Sequence, residues 1–201
     1  METYAPPAAR LHGLATPFSP ADLRPACPRL DRPAAGAGVT GGAWFDPTGA
    51  YRYRLWRDWD DSLPRVGFIL LNPSTADATA DDPTLKRCLG FARRWGYGAL
   101  EVGNLFALRA TSPRTLIAAE SPVGPHNDQA LRDLVRRVQA LVVGWGNGGR
   151  CQGRAASVAA AGILPAGTLC LGNTRSGQPR HPLYVRGDTV PVPFRPGAAS
   201  C

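Results

Sequence analysis

The chain reads as an α/β protein, a three-layer α/β/α sandwich around a mainly parallel four-stranded sheet, with a hairpin ahead of it. Three observations predict this. Four short apolar runs, at 66–71, 99–103, 141–144 and 168–171, have the length and continuity of strands covered on both faces. Consecutive runs are separated by segments long enough for a helical crossover, as parallel pairing requires. Each run also empties into polar or glycine residues, and right-handed crossovers gather such ends on one edge of the sheet, where α/β proteins handle ligands.

Taken in order, residues 1–40 hold seven prolines and no sustained period, so they read as a Pro/Ala-rich extension and residues 41–201 as the folded domain. Residues 43–56 read as a hairpin turning at Asp46-Pro47-Thr48-Gly49, where proline second and glycine fourth fit a type I turn. Alternation places Arg52 and Arg54 on one face, either the wet side of an edge strand or a contact for phosphate. Val66 to Leu71 is the first central strand. Thr84 to Trp95 is a helix with Leu85, Cys88, Leu89, Ala92 and Trp95 on its apolar stripe and Pro83 at its start. The strand at 99–103 follows, then a loop, a short helical turn at 115–119, and a helix capped by Asn127 or Asp128. Leu141 to Gly144 is the third strand, a helix of small residues spans 150–161, and Thr168 to Leu171 is the fourth strand.

Chemistry concentrates at the strand ends. Asn72 follows the first strand and is fixed by Pro73; its amide can hold a water or a polar ligand, or simply close an Asx turn. Asp77, Asp81 and Asp82 form an acidic cluster in a basic chain. They are candidates to orient or deprotonate water or to bind magnesium beside a phosphate, with one of Asp81 and Asp82 reserved to cap the helix. Asn104 ends the second strand, where an amide can read the edge of a heterocycle. His181, between Pro179 and Pro182, can donate to a developing anion or satisfy a loop carbonyl.

The formal charge is +8, carried by 22 arginines and the single lysine Lys86 against 15 acidic residues, which suits a polyanionic partner. The five cysteines are odd in number and form no C-x-x-C pair, so neither a zinc ribbon nor a disulfide framework is expected. No apolar run suits a membrane span and no secretion signal is evident, so the expectation is a cytoplasmic protein with no membrane partner. No dinucleotide-binding G-x-G-x-x-G follows the first strand, and the P-loop, nucleophile-elbow and zincin motifs are missing; Gly144-Trp145-Gly146-Asn147-Gly148-Gly149 supplies several flexible glycines, but it follows the third strand and lacks a lysine.

Two resemblances add to this reading. The run Ile69 to Asp77 (ILLNPSTAD), with Asp81-Asp82-Pro83-Thr84, Arg87-Cys88, Asn104-Leu105-Phe106-Ala107 and Arg109-Ala110-Thr111, closely resembles an uncharacterised bacterial domain family of unknown function over about residues 43–150. More distantly, Leu71-Asn72-Pro73, Gly103-Asn104 and His181-Pro182 resemble, in that order, the strand-end motifs of the uracil-DNA glycosylase superfamily. That likeness implies a catalytic group of Asn72 holding the hydrolytic water and His181 stabilising the leaving base; Asp77 and Asp82, which match no motif of that superfamily, stand as catalytic candidates on the chemistry of the acidic cluster alone. The likeness implies a base-binding group of Asn104, Pro73, Ser74 and Phe106, and DNA contacts from Arg109, Arg175, Arg180, Leu183 and Tyr184. It further implies single- or double-stranded DNA as partner, a monomer, and no metal or cofactor. Ser74 replaces the family's usual glycine, and Leu183-Tyr184 its Ser-Pro pair. The expected activity is hydrolysis of the N-glycosidic bond of a damaged or modified base in DNA. A catalytically inactive nucleobase-binding module and a magnesium-dependent nucleotide hydrolase are the alternatives.

Overall fold

A computed structural model describes residues 38–74, 76–110 and 113–195. The expected N-terminal extension lies outside the described residues apart from residues 38–40. The elements run β1 (Thr40–Phe45), β2 (Arg52–Asp58), β3 (Arg65–Leu70), α1 (Pro83–Arg94), β4 (Ala99–Asn104), α2 (Pro113–Ala118), α3 (Asn127–Arg137), β5 (Ala140–Val143), α4 (Arg154–Ala160), β6 (Leu169–Cys170) and β7 (Val192–Pro193).

The sheet has seven strands in the order β1-β2-β4-β3-β5-β6-β7, which corrects the expected four. Its centre, β4-β3-β5-β6, is parallel throughout. The hairpin is part of the sheet, because β2 pairs antiparallel with β4, and β7 closes the far edge antiparallel to β6. The sequence hides both additions for one reason: an antiparallel strand needs no crossover, so no helical segment announces it.

The central strands are buried on both faces, as their uninterrupted apolar runs require. Val66, Phe68 and Leu70 of β3, with Leu100 and Val102 of β4, pack under Leu85, Cys88, Phe91 and Ala92 of α1. Ile69, Val143 and Cys170 face the opposite side, against Leu131 and Leu134 of α3 and Val158 of α4. Each fully buried large side chain contributes roughly 1.5–3 kcal/mol by leaving water. Helix α3 sits very close to the sheet at two glycines. A Cβ at Gly67 would lie 2.9 Å from Leu134 Cδ2, and one at Gly103 would lie 2.7 Å from Leu131 Cδ2.

Strand β2 carries a bulge. Trp44 pairs with Arg54 and Phe45 with Arg52, so Tyr53 is an extra residue that shifts the phase of everything before it. Arg54 reaches Glu101, a fully buried carboxylate also held by Arg137 of α3, while Arg52 turns to the α1 side and meets Asn104. The two arginines thus occupy opposite faces, and Arg52 is buried, which corrects the reading of a shared wet face.

The helix expected over 150–161 is also shorter. Gly146–Gly153 forms 3-10 turns broken at Cys151 and Gln152, and α4 begins only after Gly153, whose φ of 65° glycine adopts without a Cβ penalty. Among the described residues no helix is long and apolar enough to cross a membrane.

Candidate functional site

After β3 the chain turns to α1 on one face, and after the neighbouring β5 it turns to α4 on the other. Adjacent loops leaving in opposite directions open a crevice at the C-terminal ends of the parallel strands. A cleft of about 710 Å³ lies there. Its walls come from the loop after β3 (Leu71, Asn72, Ser74, Ala76), the start of α1 (Asp82, Thr84, Leu85) and the glycine-rich turn after β5 (Trp145 to Gly148). Arg52 and Asn104 from the sheet, and Arg180, His181 and Tyr184 from the segment after β6, complete it.

Asn72, Asn104 and His181, far apart in sequence, therefore line one cavity. Both asparagines are tied on one side only. The Asn72 amide nitrogen donates to the carbonyls of Pro73 at 2.9 Å and Ala110 at 2.6 Å, which leaves its Oδ1 as the group available to a ligand. Asn104 is reversed: its Oδ1 accepts from Arg52 Nη2 at 3.2 Å. Its backbone is pinned by Asn127, the first residue of α3, whose amide donates to the carbonyls of Asn104 and Leu105. Asn127 thus anchors the chain after β4 instead of capping its own helix, and Asp128 pairs with Arg154.

His181 begins the turn Pro182–Tyr184, and its Nδ1 accepts from the Leu183 N–H at 3.4 Å, so the ring proton belongs on Nε2. Burial holds its pKa below the ordinary 6.5, opposed by the Asp82 carboxylate, so the imidazole is neutral at neutral pH. Arg87 of α1 fastens this turn by donating to the carbonyls of Pro182 and Val185. Arg52, 4% exposed, also donates to the Ala76 carbonyl at 2.7 Å. Burial pushes its pKa down to about 10, which still leaves it cationic at neutral pH.

The acidic cluster divides into three separate jobs. Asp77 accepts from the N–H groups of Thr79 and Ala80, so its carboxylate closes its own turn and does not line the cleft, in place of the catalytic role expected of it. Those hydrogen bonds hold its pKa below the usual carboxylate range. Asp81 pairs with the buried Arg57, which also takes the Asp77 carbonyl. Asp82 caps α1 through Leu85 N at 2.7 Å and lines the cleft. Among the described residues no three His, Cys, Asp or Glu side chains are grouped to hold a metal ion.

Other candidates separate as well. Ser74 lines the cleft, but Phe106 is fully buried in the core on the α3 side, so it faces no base. Pro73 is buried and contributes its carbonyl to Asn72 and to Ala110 N. Arg180 lines the cleft and Tyr184, 77% exposed, stands at its mouth, with exposed Leu183 beside it. Arg175 is exposed on the turn after Thr174 and does not line the cavity. Arg109 lies over the Phe45 ring and donates to the Gly49 carbonyl, at the hairpin. Sequence reasoning missed Arg52 as a cleft residue and also Trp145 and Asn147. Asn147 accepts from the Thr174 hydroxyl and so ties the glycine-rich turn to the segment after β6.

Residues 52–183, more than half of the chain, match the family described as "Protein of unknown function (DUF1643)". No curated protein and no solved structure matches the chain.

Proposed function

The chain belongs to the DUF1643 family, and from the chemistry of its cleft we propose that it is a DNA glycosylase-like protein that hydrolyses the N-glycosidic bond of a damaged or modified base in DNA. The observation that carries this reading is the convergence of Asn72, Asn104 and His181 on one cavity with their polarities fixed. Glycosidic hydrolysis needs an acceptor to orient water on the sugar side and donors to stabilise charge on the departing base. Asn72 Oδ1 is the acceptor, with the Asp82 carboxylate in the same wall. The Asn104 amide nitrogen and the neutral His181 Nε2–H are the donors.

Water attacks the anomeric carbon and gives a proton to the Asp82 carboxylate, the bond to the base nitrogen breaks, and its electron pair leaves with the base, where His181 holds the developing negative charge until a proton is returned to the base nitrogen. A neutral imidazole suits that role because its Nε2–H stabilises the anion by hydrogen bonding while the proton stays on the ring. Arg180 at the cleft and the +8 charge favour a phosphate backbone nearby. Tyr184 is placed to stack on an exposed base or on its neighbour.

The test is base release from oligonucleotides carrying uracil, hypoxanthine or an alkylated base, with the abasic product revealed by alkaline strand cleavage. Product is expected from at least one substrate, in EDTA, and is expected to vanish in Asn72→Ala. Salt-sensitive binding without product at high protein concentration would favour a silent binding module. Turnover of free nucleotides that EDTA abolishes would favour the magnesium-dependent hydrolase.

A further inference from the structure

We propose that Arg52 fixes the polarity of Asn104, so that the cleft selects a nucleobase presenting a carbonyl oxygen over one presenting an exocyclic amine at the same edge. This rests on the reading of the cleft as a nucleobase site.

A free asparagine amide is ambiguous: by rotating half a turn it offers either a donor or an acceptor, and so it accommodates either kind of base edge. Asn104 lacks that freedom. A guanidinium has donors only, so the Asn104 atom 3.2 Å from Arg52 Nη2 must be the oxygen. Rotation would set the amide hydrogens against guanidinium hydrogens in a place where Asn104 is 2% and Arg52 4% exposed. Among the described residues the Asn104 amide nitrogen has no hydrogen-bond partner, yet the residue lines the cleft, so a donor is what Asn104 has left to give.

Arg52 cannot swing away to release it. Its Nη1 is held by the Ala76 carbonyl at 2.7 Å, and its backbone N–H by the Ala107 carbonyl at 2.9 Å. Among the described residues the hydrogen-bond partners of its guanidinium are both neutral oxygens, and its Nε is buried with no partner. The positive charge beside Asn104 is therefore not neutralised by a direct ion pair, and it favours an electron-rich atom on the ligand a second time, through the field.

The experiment measures affinities of the full-length protein for matched pairs, uracil against cytosine and hypoxanthine against adenine, as free bases by calorimetry or NMR titration. The wild type is expected to favour the oxo member of each pair by about tenfold or more, as for a site whose buried donor is left unmatched by the wrong ligand. Arg52→Met frees the amide to rotate, and the ratio is expected to fall to within about twofold. If Arg52 merely braced the loop at Ala76, its loss would weaken both members alike and leave the ratio unchanged.

Asn104→Asp keeps Arg52 and supplies the test where the first variant fails to fold. One carboxylate oxygen pairs with the guanidinium, the other offers an acceptor to the cleft, and the preference is expected to invert towards the amino bases. Equal affinity within each pair for the wild type, or an oxo preference that survives Asn104→Asp, overturns the assignment while leaving the nucleobase reading in place. Absence of binding to all four bases overturns both.

Discussion

Asp82 performs two tasks that two substitutions can separate. Its extended backbone, φ −76° and ψ 169°, and its Oδ1 contact with Leu85 N make it the N-cap of α1, and the same side chain lines the cleft. Asp82→Ala removes the cap, which costs about 1 kcal/mol within a range of roughly 0.5–2. Leu85 is 3% exposed, so its N–H is left short of a partner in a poorly hydrated place, and the cost should fall in the upper half of that range. For a domain of this size the melting temperature should drop by about 2–4 °C per kcal/mol. Asp82→Ser restores a hydroxyl acceptor of equal capping rank, so its stability should return to within a few tenths of a kcal/mol of wild type. Both variants lack the carboxylate, so both should lose base release equally. Urea midpoints followed by Trp fluorescence, together with the alkaline cleavage assay, give the two readouts. Serine and alanine variants of equal instability would refute the capping argument, and normal base release in either would remove Asp82 from the water side of the cleft.

His181→Ala should lower single-turnover base release by about 10²–10³-fold, the loss typical of one oxyanion donor, while DNA binding changes little; a parallel fall in both would assign His181 to binding instead. Because burial holds His181 below its ordinary 6.5, the folded protein takes up that proton later than the unfolded chain as pH falls. Its contribution to stability is thus present above about pH 6.5 and lost as pH falls through the folded value, so urea midpoints measured at about pH 7.5 and 5.5 should converge in His181→Gln. Gly103→Ala should destabilise the fold by roughly 1–3 kcal/mol, since the new methyl lies 2.7 Å from Leu131 and α3 must shift. Unchanged thermal melting would mean that α3 is not seated as closely as the glycine implies.

Much of the architecture was legible because burial on both faces leaves a strong mark. The runs at β3, β4 and β5 are continuous, and the crossovers between them are long, so the parallel centre could be read directly from the chain. The hairpin holding β2 was legible from its alternation and turn, but its pairing with β4 was not, and β7 gave no mark. The site was legible where strand ends fall at a topological switch, which is why Asn72 and Asn104 could be picked out from position alone. Side-chain allegiance was not. Asp77, Asp81 and Asp82 look alike as letters, yet one closes a turn, one neutralises a buried arginine and one caps a helix. Phe106 follows Asn104 by two places, but the chain has already bent towards α3, and its ring enters the far core.

The extra residue at Tyr53 makes the position of Arg52 a matter of counting rather than of chemistry. Were β2 to pair regularly through Tyr53 instead of bulging there, Arg52 and Arg54 would alternate onto one face, and the Arg52 side chain would pass through to the side of Glu101 and α3. The cleft would then lose the guanidinium beside Asn104, and the amide could turn freely, although no residue had been exchanged. Which side of the sheet Arg52 serves is thus decided by how the hairpin pairs, and the arginine alone does not decide it.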